Sequence, residues 1–495
     1  MSNEATGYRQ KLGFRLRGST GTTSSLPTDG WPAVLGTPTP LDIGAYSLLP
    51  ALSEGISDNE SHLQDDVLDG SAGVAILDLI SRLPSGGVEL GARFNSLEQV
   101  FAAALGFEKL RTTTTLESPA VTSVVVGPAT GGTTTTVVKA AAGWTPNAYE
   151  GAFVRMEKVG ASPNAVMEVR RIVSNDATTL TVTPAFATAP VNTDPFTVFR
   201  VATHTFECAK NMHAEKITDL LSLPYDTTKW LTREGVLGIS KLPLGVWEYQ
   251  AAMINKLKVK LSAKDGLTLT AEFLPFGYDI RTTGRNSDPA AWAHNALSAL
   301  TSIGGSVAQL VKPFRRVHFK DFVFRIGDYN ASALGSTDIL GISEIEFEID
   351  NGLAGEDQDT KNGIYRIEPI RSKKRVVKGK ITRPRFNSTT RITALRAETF
   401  QKMDLVATGP SMFMAGPAGT HTLEFYFPKI KLTSPAAPVP GASPLTEVLE
   451  FQALQPELVV SGMPTVSLGA DNSEVFVKTT SLYPFNDFMG QQTTT

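Results

Sequence analysis

The residue types that do chemistry are sparse in this chain and badly spaced for it. The six histidines, His62, His204, His213, His294, His318 and His421, include no His-Glu-x-x-His run and no closely spaced pair, which an imidazole-bound zinc or iron would require. Cys208 is the single cysteine, so an intramolecular disulfide framework and any multi-cysteine metal site are excluded, and it reads as a small buried apolar residue. The glycine-rich "GPATGG" from Gly127 lacks the Lys-Ser/Thr of a phosphate loop and lies among strand-like runs, so it reads as a turn. "SDN" at Ser57 has no convincing S-x-x-K or K-T-G partner, no G-x-S-x-G occurs, and Asp65 and Asp66 would face opposite ways if extended. This inventory predicts no catalytic residues, no metal and no cofactor.

Charge patterning is more informative. In "KLKVKL" the residues Lys256, Lys258 and Lys260 alternate with Leu257, Val259 and Leu261; in "SEIEFEID" the residues Glu344, Glu346, Glu348 and Asp350 alternate with Ile345, Phe347 and Ile349. Period two is the signature of a half-buried strand, so each run predicts one apolar face and one charged face. "VVKGKITR" and "FKDFVFRI" read as further strands.

The elements that would hold these stripes recur. "RFNS" occurs at Arg93 and again at Arg385, each time entering a helix-like run. In the first, Ser96 is the expected N-cap with Gln99 behind it, and Leu97, Val100, Phe101, Ala104 and Leu105 form one stripe before Gly106. In the second, Ser388 is the expected cap and Ile392, Leu395, Thr399 and Met403 the weaker stripe. "THTFE" at Thr203 answers "THTLE" at Thr420, "NKLKVKLSA" answers "PKIKLTSP", and "LTLTAEF" answers "LTEVLEF", all in the same order. The ordered set predicts a duplicated unit. The expected fold class is mainly β (α+β): two tandem β-barrel or sandwich repeats, each with one short helix, plus a small inserted β-domain.

The expected organisation is an extended N-terminal arm over residues 1–49, a discontinuous first repeat over 50–115 and 203–275, an inserted surface β-domain over 116–202, a helical linker over 276–312 with Asp288 as N-cap, a second repeat over 313–456 and a C-terminal tail over 457–495. A short loop, "MDLVATGPSMFMAGPAG", is expected where the first repeat carries the insert, and residues 208–252 read as an irregular arm or flap. The arms, poor in periodic apolar residues, are expected to order on neighbouring subunits.

Length and composition agree with a folded, multi-domain protein: 495 residues, 41% hydrophobic and 19% charged. Lys plus Arg (46) nearly balances Asp plus Glu (49), which removes the footprint of a protein that grips nucleic acid. No apolar run reaches the roughly 18 residues of a membrane span and the N-terminus lacks the apolar core of a signal peptide, so the expectation is a protein made and kept in solution.

"SEIEFEIDNGL", the "KGKITRPRF" strand, the helix after it and "HTLEFYFPKIKLTSP…LEFQAL" together resemble the major tail tube protein of long-tailed bacteriophages; "WEYQAAMINKLKVKLSAKDGLTLTAEF" is similar to the earlier half of the same family. The resemblance covers roughly 50–115 and 203–456. It implies a non-enzymatic virion protein of the tail, assembled in the host bacterial cytoplasm into stacked rings through which genome DNA passes without specific binding. Tail terminator, tape measure and tip proteins would be its partners besides itself. The simplest members carry one barrel per subunit in hexameric rings, so a duplicated chain implies a homotrimeric ring with pseudo-sixfold symmetry. Rival readings are a distal tail or tail-tip ring protein, and a β-domain carbohydrate-binding or carbohydrate-active protein, which the modest aromatic content does not favour. DNA that must slide is best served by a neutral or acidic wall. Glu344, Glu346, Glu348 and Asp350 are therefore lumen-lining candidates, and the alternative is that they pair laterally with Lys256, Lys258 and Lys260 as a cross-strand ladder.

Overall fold

A computed structural model of the chain describes residues 11–16, 47–64, 77–94, 97–108, 126–150, 152–156, 168–183, 185–186, 188–192, 194–199, 202–208, 215–216, 230–231, 235–241, 245–281, 316–355, 364–366, 369, 371–384, 397–411, 420–436, 446–464 and 473–481. These residues are mostly β, as the alternating patterns predict. Among the described residues the first strands are β1 (Lys11–Leu16), β2 (Ser47–Leu49) and β3 (Ala51–Glu54), then a two-stranded ladder of β4 (Glu60–Gln64) and β5 (Leu77–Arg82). β6 (Gly86–Gly91), helix α1 (Glu98–Leu105) and β7 (Gly106–Glu108) follow.

The next seven strands are β8 (Val126–Pro128), β9 (Gly131–Thr133), β10 (Thr136–Val138), β11 (Phe153–Met156), β12 (Glu168–Asn175), β13 (Thr179–Thr183) and β14 (Pro195–Phe199). They form a sheet of their own, ordered β8-β14-β11-β12-β13-β10-β9, over a separate apolar cluster that includes Val137, Val154, Ile172, Leu180 and Phe196. The chain returns through β15 (Ala202–Cys208), the short β16 (Glu215–Lys216) and β17 (Trp230–Leu231), then β18 (Gly235–Ser240), β19 (Val246–Ser262), β20 (Gly266–Leu274) and β21 (Gly277–Arg281). The remaining strands are β22 (Phe322–Asp328), β23 (Glu344–Asp350), β24 (Val376–Arg383), β25 (Gln401–Ser411), β26 (Thr420–Ala436), β27 (Glu447–Ala453) and β28 (Phe476–Ser481).

Pairing in the first half runs β1–β18–β19–β20–β6–β3. In the second half it runs β22–β25–β26–β27–β24–β23. The central strands β19 and β26 are each 17 residues long. Beyond the end of the neighbour that follows it in the chain, each central strand pairs with a second strand, β21 on β19 and β28 on β26. The halves meet edge to edge where β19 pairs with β23 from Lys256↔Asp350 to Ser262↔Glu344. One sheet therefore runs unbroken through β3–β6–β20–β19–β23–β24–β27–β26.

The inward face of this sheet belongs to one apolar cluster, with Leu257, Val259, Leu261, Ile345, Phe347 and Ile349 among its members. Phe347 lies edge-on to Phe425 and Phe427, with ring centroids 5.4 and 5.1 Å away, a preferred aromatic geometry. Helix α1 is buried on every side, Glu98 and Gln99 included, so its apolar residues do not face one way as the stripe predicted. Gly106 ends it in the left-handed region (φ 88), where its N–H donates to the Ala102 carbonyl. Its N-cap is Leu97 without a side-chain cap bond; Ser96 and Asn95 lie outside the described residues.

Several expectations are corrected. The stretch read as a short loop begins as β25, because Met403, Leu405 and Ala407 alternate into the core. Met403 is thus in a strand and Thr399 outside any helix; Ser388, Ile392 and Leu395 lie outside the described residues, as does the helix expected from Asp288. Part of the region read as a flap is β18 and the start of β19, and Gly277–Arg281, read as the start of a linker, pairs with β19. Lys11–Leu16 and Phe476–Ser481, inside the spans read as arms, are sheet strands, because pairing and the burial of Leu12, Phe14, Val477 and Thr479 need only a few alternating residues. "THTFE" and "THTLE" do not share a place: "THTLE" opens the long β26, whereas "THTFE" forms β15, and the two flank β28.

Candidate functional surface

The outward face of the eight-stranded run carries the charged stripes. Side chains of one strand point the same way at every second residue, so the apolar packing of Leu257, Val259 and Leu261 obliges Lys256, Lys258 and Lys260 to the other face. The same rule places Glu344, Glu346, Glu348 and Asp350 beside them. In register Lys258 opposes Glu348 and Lys260 opposes Glu346, but the ammonium groups reach diagonally: Lys258 Nζ is 2.8 Å from Glu346, and Lys260 Nζ is 3.2 Å from Glu344. Diagonal reach is what a twisted sheet offers long side chains. Lys256 turns the other way, to Glu272 on β20 at 3.7 Å.

The pattern continues past the acidic strand. Lys378 and Lys380 on β24 oppose Glu348 and Glu346. On β27 Glu450 opposes Lys380 and Gln452 opposes Lys378, and on β26 Lys431 opposes Gln452. The acidic column is thus flanked by lysine columns on both sides. Burial raises the Glu346 carboxyl, but the Lys258 hydrogen bond and the charges of Lys258, Lys380 and Lys260 outweigh it and hold the group below its ordinary value. The hydrogen bond and charge of Glu344 hold the Lys260 ammonium above its own. Gly379 separates the two lysines of β24 because a side chain there would strike the Glu346 carbonyl and the Phe347 and Phe451 side chains.

Lys378, Lys380, Glu450 and Lys431 were not singled out from sequence, although "VVKGKITR" carries the same period-two signal. Its central glycine hides the alternation, and only the fold shows that β24 lies next to β23.

Other candidates have internal roles. His204 and His421 are fully buried, and His62 and His318 are exposed; His213, His294, Asp65 and Asp66 lie outside the described residues. Burial, opposed by a backbone hydrogen bond at Thr480, pushes His421 down to about 4. Burial pushes the Cys208 thiol up to about 11, and its backbone N–H donates to Ser473 Oγ at 3.0 Å. "GPATGG" connects β8 to β9. In "SDN", Ser57 Oγ donates to Asn59 Oδ1 at 2.8 Å, while Asn59 Nδ2 donates to Ser85 Oγ at 2.7 Å, a tied turn. Among the described residues no group of three His, Cys, Asp or Glu could hold a metal ion, and no helix is long and apolar enough to cross a membrane.

Two buried ion pairs and one half-buried pair cross between strands and loops. Arg383 pairs with Glu447 directly opposite it on the core side, Arg375 with Glu474 at 3.2 Å, and Arg325 with Asp404 through two bonds of 2.9 and 2.8 Å. Between the halves, Asn351 Nδ2 donates to the carbonyls of Ala104 (2.9 Å) and Ile254 (3.0 Å). Arg366 donates to the Gly355 carbonyl and, at 2.9 Å, to that of Pro84.

Comparison with known proteins gives a match to the family model described as phage tail tube protein, over residues 7–453. The matched span takes in β1, which lies outside the range suggested by the sequence motifs. No curated protein matches the chain.

Proposed function

The chain belongs to the phage tail tube protein family, and on that footing we propose that it forms rings of three copies with pseudo-sixfold symmetry, stacked into the conduit for genome DNA. The observation that carries this reading is the unbroken sheet β3–β6–β20–β19–β23–β24–β27–β26, sealed by core on one face and charged on the other. Four strands come from each half. That the halves are copies of one barrel is supported by their matching pairing orders, by the two 17-residue central strands and by the "KLKVKL"/"PKIKL" and "LTLTAEF"/"LTEVLEF" matches. Three such units supply about 24 strands; at ~4.8 Å spacing and ~40° tilt the backbone circle is roughly 45 to 50 Å across, which leaves room for duplex DNA after side chains narrow it.

In this reading the outward charged face lines the lumen. A wall lysine that already holds a carboxylate has little to gain from a passing phosphate, so a wall of alternating Lys and Glu columns keeps the counterion-release term small. Glu344, Glu346, Glu348 and Asp350 then act as lumen residues and ladder partners at once, not as a separate acidic lining. Tail terminator, tape measure and tip proteins would meet the two ends of the tube, in a tail assembled in the host cytoplasm.

Purified full-length protein should polymerise into hollow tubes visible by negative-stain electron microscopy. Protein that stays monomeric across concentration and salt, or antibody labelling of virions away from the tail shaft, would count against the reading.

A further inference from the structure

We propose that β28 is an acid-released clasp: protonation of His421 expels it from between β15 and β26 while the eight-stranded charged sheet stays intact. β28 is six residues long. One edge is held by β15, from Ala202↔Ser481 to Glu207↔Phe476, and the other by β26, from Thr422↔Thr480 to Tyr426↔Phe476. Each neighbour turns a fully buried imidazole into the core beside it. His204 on β15 opposes Thr479 and stacks on Phe206, the rings 2° from parallel. His421 lies at the start of β26 and hydrogen-bonds to the main chain of Thr480.

The surroundings of His421 give a charged ring little to turn to. Phe94, after β6, has its ring centroid 6.1 Å away. Gly409 on β25 backs onto the histidine so closely that a Cβ there would stand 3.0 Å from the Cβ of His421. On β28, Thr479 is 5% exposed and its hydroxyl makes no hydrogen bond among the described residues. None of these neighbours titrates. The charges of the same strands lie on the reverse face, where Glu424 pairs with Lys478 at 3.5 Å and accepts from Tyr426, and where Glu207 is buried on β15. Helix α1, which packs against β15, carries the buried Glu98, so the clasp rests on His421 and not on His204, whose neighbouring element brings a carboxylate.

Burial, opposed by the Thr480 bond, lowers His421 to about 4 against 6.5 when free. The closed strand therefore favours the neutral ring. Retention of β28 is complete above pH 6.5, weakens as pH falls towards 4 and levels off below. The interval between those values corresponds to at most about 300-fold in the ratio of closed to released strand. β28 is the part that gives way because β26 runs for 17 residues along β25 and β27, whereas β28 has, among the described residues, only its two short ladders. Its departure uncovers Phe476 and Val477 and leaves β15, the return strand of the insert, with its three pairs to β7.

Hydrogen exchange of unassembled full-length protein at about pH 7.5 and about pH 4.5, corrected for the pH dependence of the chemical rate, tests the clasp. Amides of 477–480 should lose about 50- to 100-fold of their protection at the lower pH, whereas those of 257–261 and 345–349 keep theirs. His421→Leu should abolish the loss. Equal protection at both pH values, a loss shared by the charged sheet, or a loss that survives in His421→Leu would each overturn the proposal. If His421→Leu fails to fold, Thr203→Cys with Thr480→Cys decides. These residues oppose each other on the reverse face with their hydroxyls 3.2 Å apart, within disulfide reach, and Cys208 is buried and does not compete. Oxidised, this variant should keep 477–480 protected in acid and lose that protection on reduction; loss in both forms, or in neither, would overturn the clasp.

Discussion

Replacing Glu447 with Gln would leave the Arg383 guanidinium, 7% exposed, facing a neutral amide where it now meets a carboxylate with no exposure at all. Breaking a buried pair from one side typically costs ~3–5 kcal/mol, whereas Arg383→Met with Glu447→Leu should cost much less. Urea denaturation of unassembled protein measures both. The outward pair Lys258–Glu346, 44% and 22% exposed, should show a coupling of only a few tenths to ~1 kcal/mol in a double-mutant cycle. Acid should act in two windows. Burial lowers His421 to about 4 in the fold, against 6.5 when free, so its contribution is complete above pH 6.5, declines as pH falls towards 4 and levels off below. Glu346 is held low, so its contribution is complete above the free carboxyl value of 4.5 and is lost as pH falls through its own lower value. Melting temperatures of the monomer should fall in both ranges, and His421→Leu should flatten the first alone. The outward stripes were legible because period two survives in "KLKVKL" and "SEIEFEID". The Arg383–Glu447 pair was not, since nothing local in "ITRPRF" or "LTEVLEF" says that an arginine and a glutamate on the core side lie opposite each other.

At the scale of elements, the seven-stranded insert has its own sheet and its own core, and its flanking strands β7 and β15 pair side by side from Gly106↔Cys208 to Glu108↔Phe206. Ends so close can be joined cheaply. Replacing residues 116–200 with a short Gly-Ser linker should leave soluble protein with an intact main core and tubes that still form; loss of soluble protein would show that the insert shares that core. The strands of this separate sheet were readable from the run of strand and turn signals in the stretch. The strands β1 and β28 are held by partners far away in sequence, as when Phe14 opposes Leu237, whereas β18 and β25 pair with the next strand in the chain and were obscured by the Gly, Pro and polar residues among which they lie. Matches such as "THTFE" with "THTLE" mislead for the opposite reason, because similar strand letters serve any two neighbours of a shared strand, here β28.

At the scale of the whole molecule, β19 and β23 join the two halves into one sheet. Changing Glu346 and Glu348 to Lys would turn the acidic column basic between two lysine columns. Tails carrying these substitutions should assemble but eject DNA more slowly, the more so at low salt, where screening is weak; unchanged ejection would mean that this face lies away from the DNA. The sheet contributes eight strands per chain, which is the number used for the three-chain ring proposed above. The most direct measurement is a near-atomic electron cryomicroscopy reconstruction of purified tubes. The account predicts three chains per ring, about 24 strands around the wall, and Lys258, Glu346 and Lys380 facing the channel; six chains per ring, or that charged face turned to the outside of the tube, would contradict it.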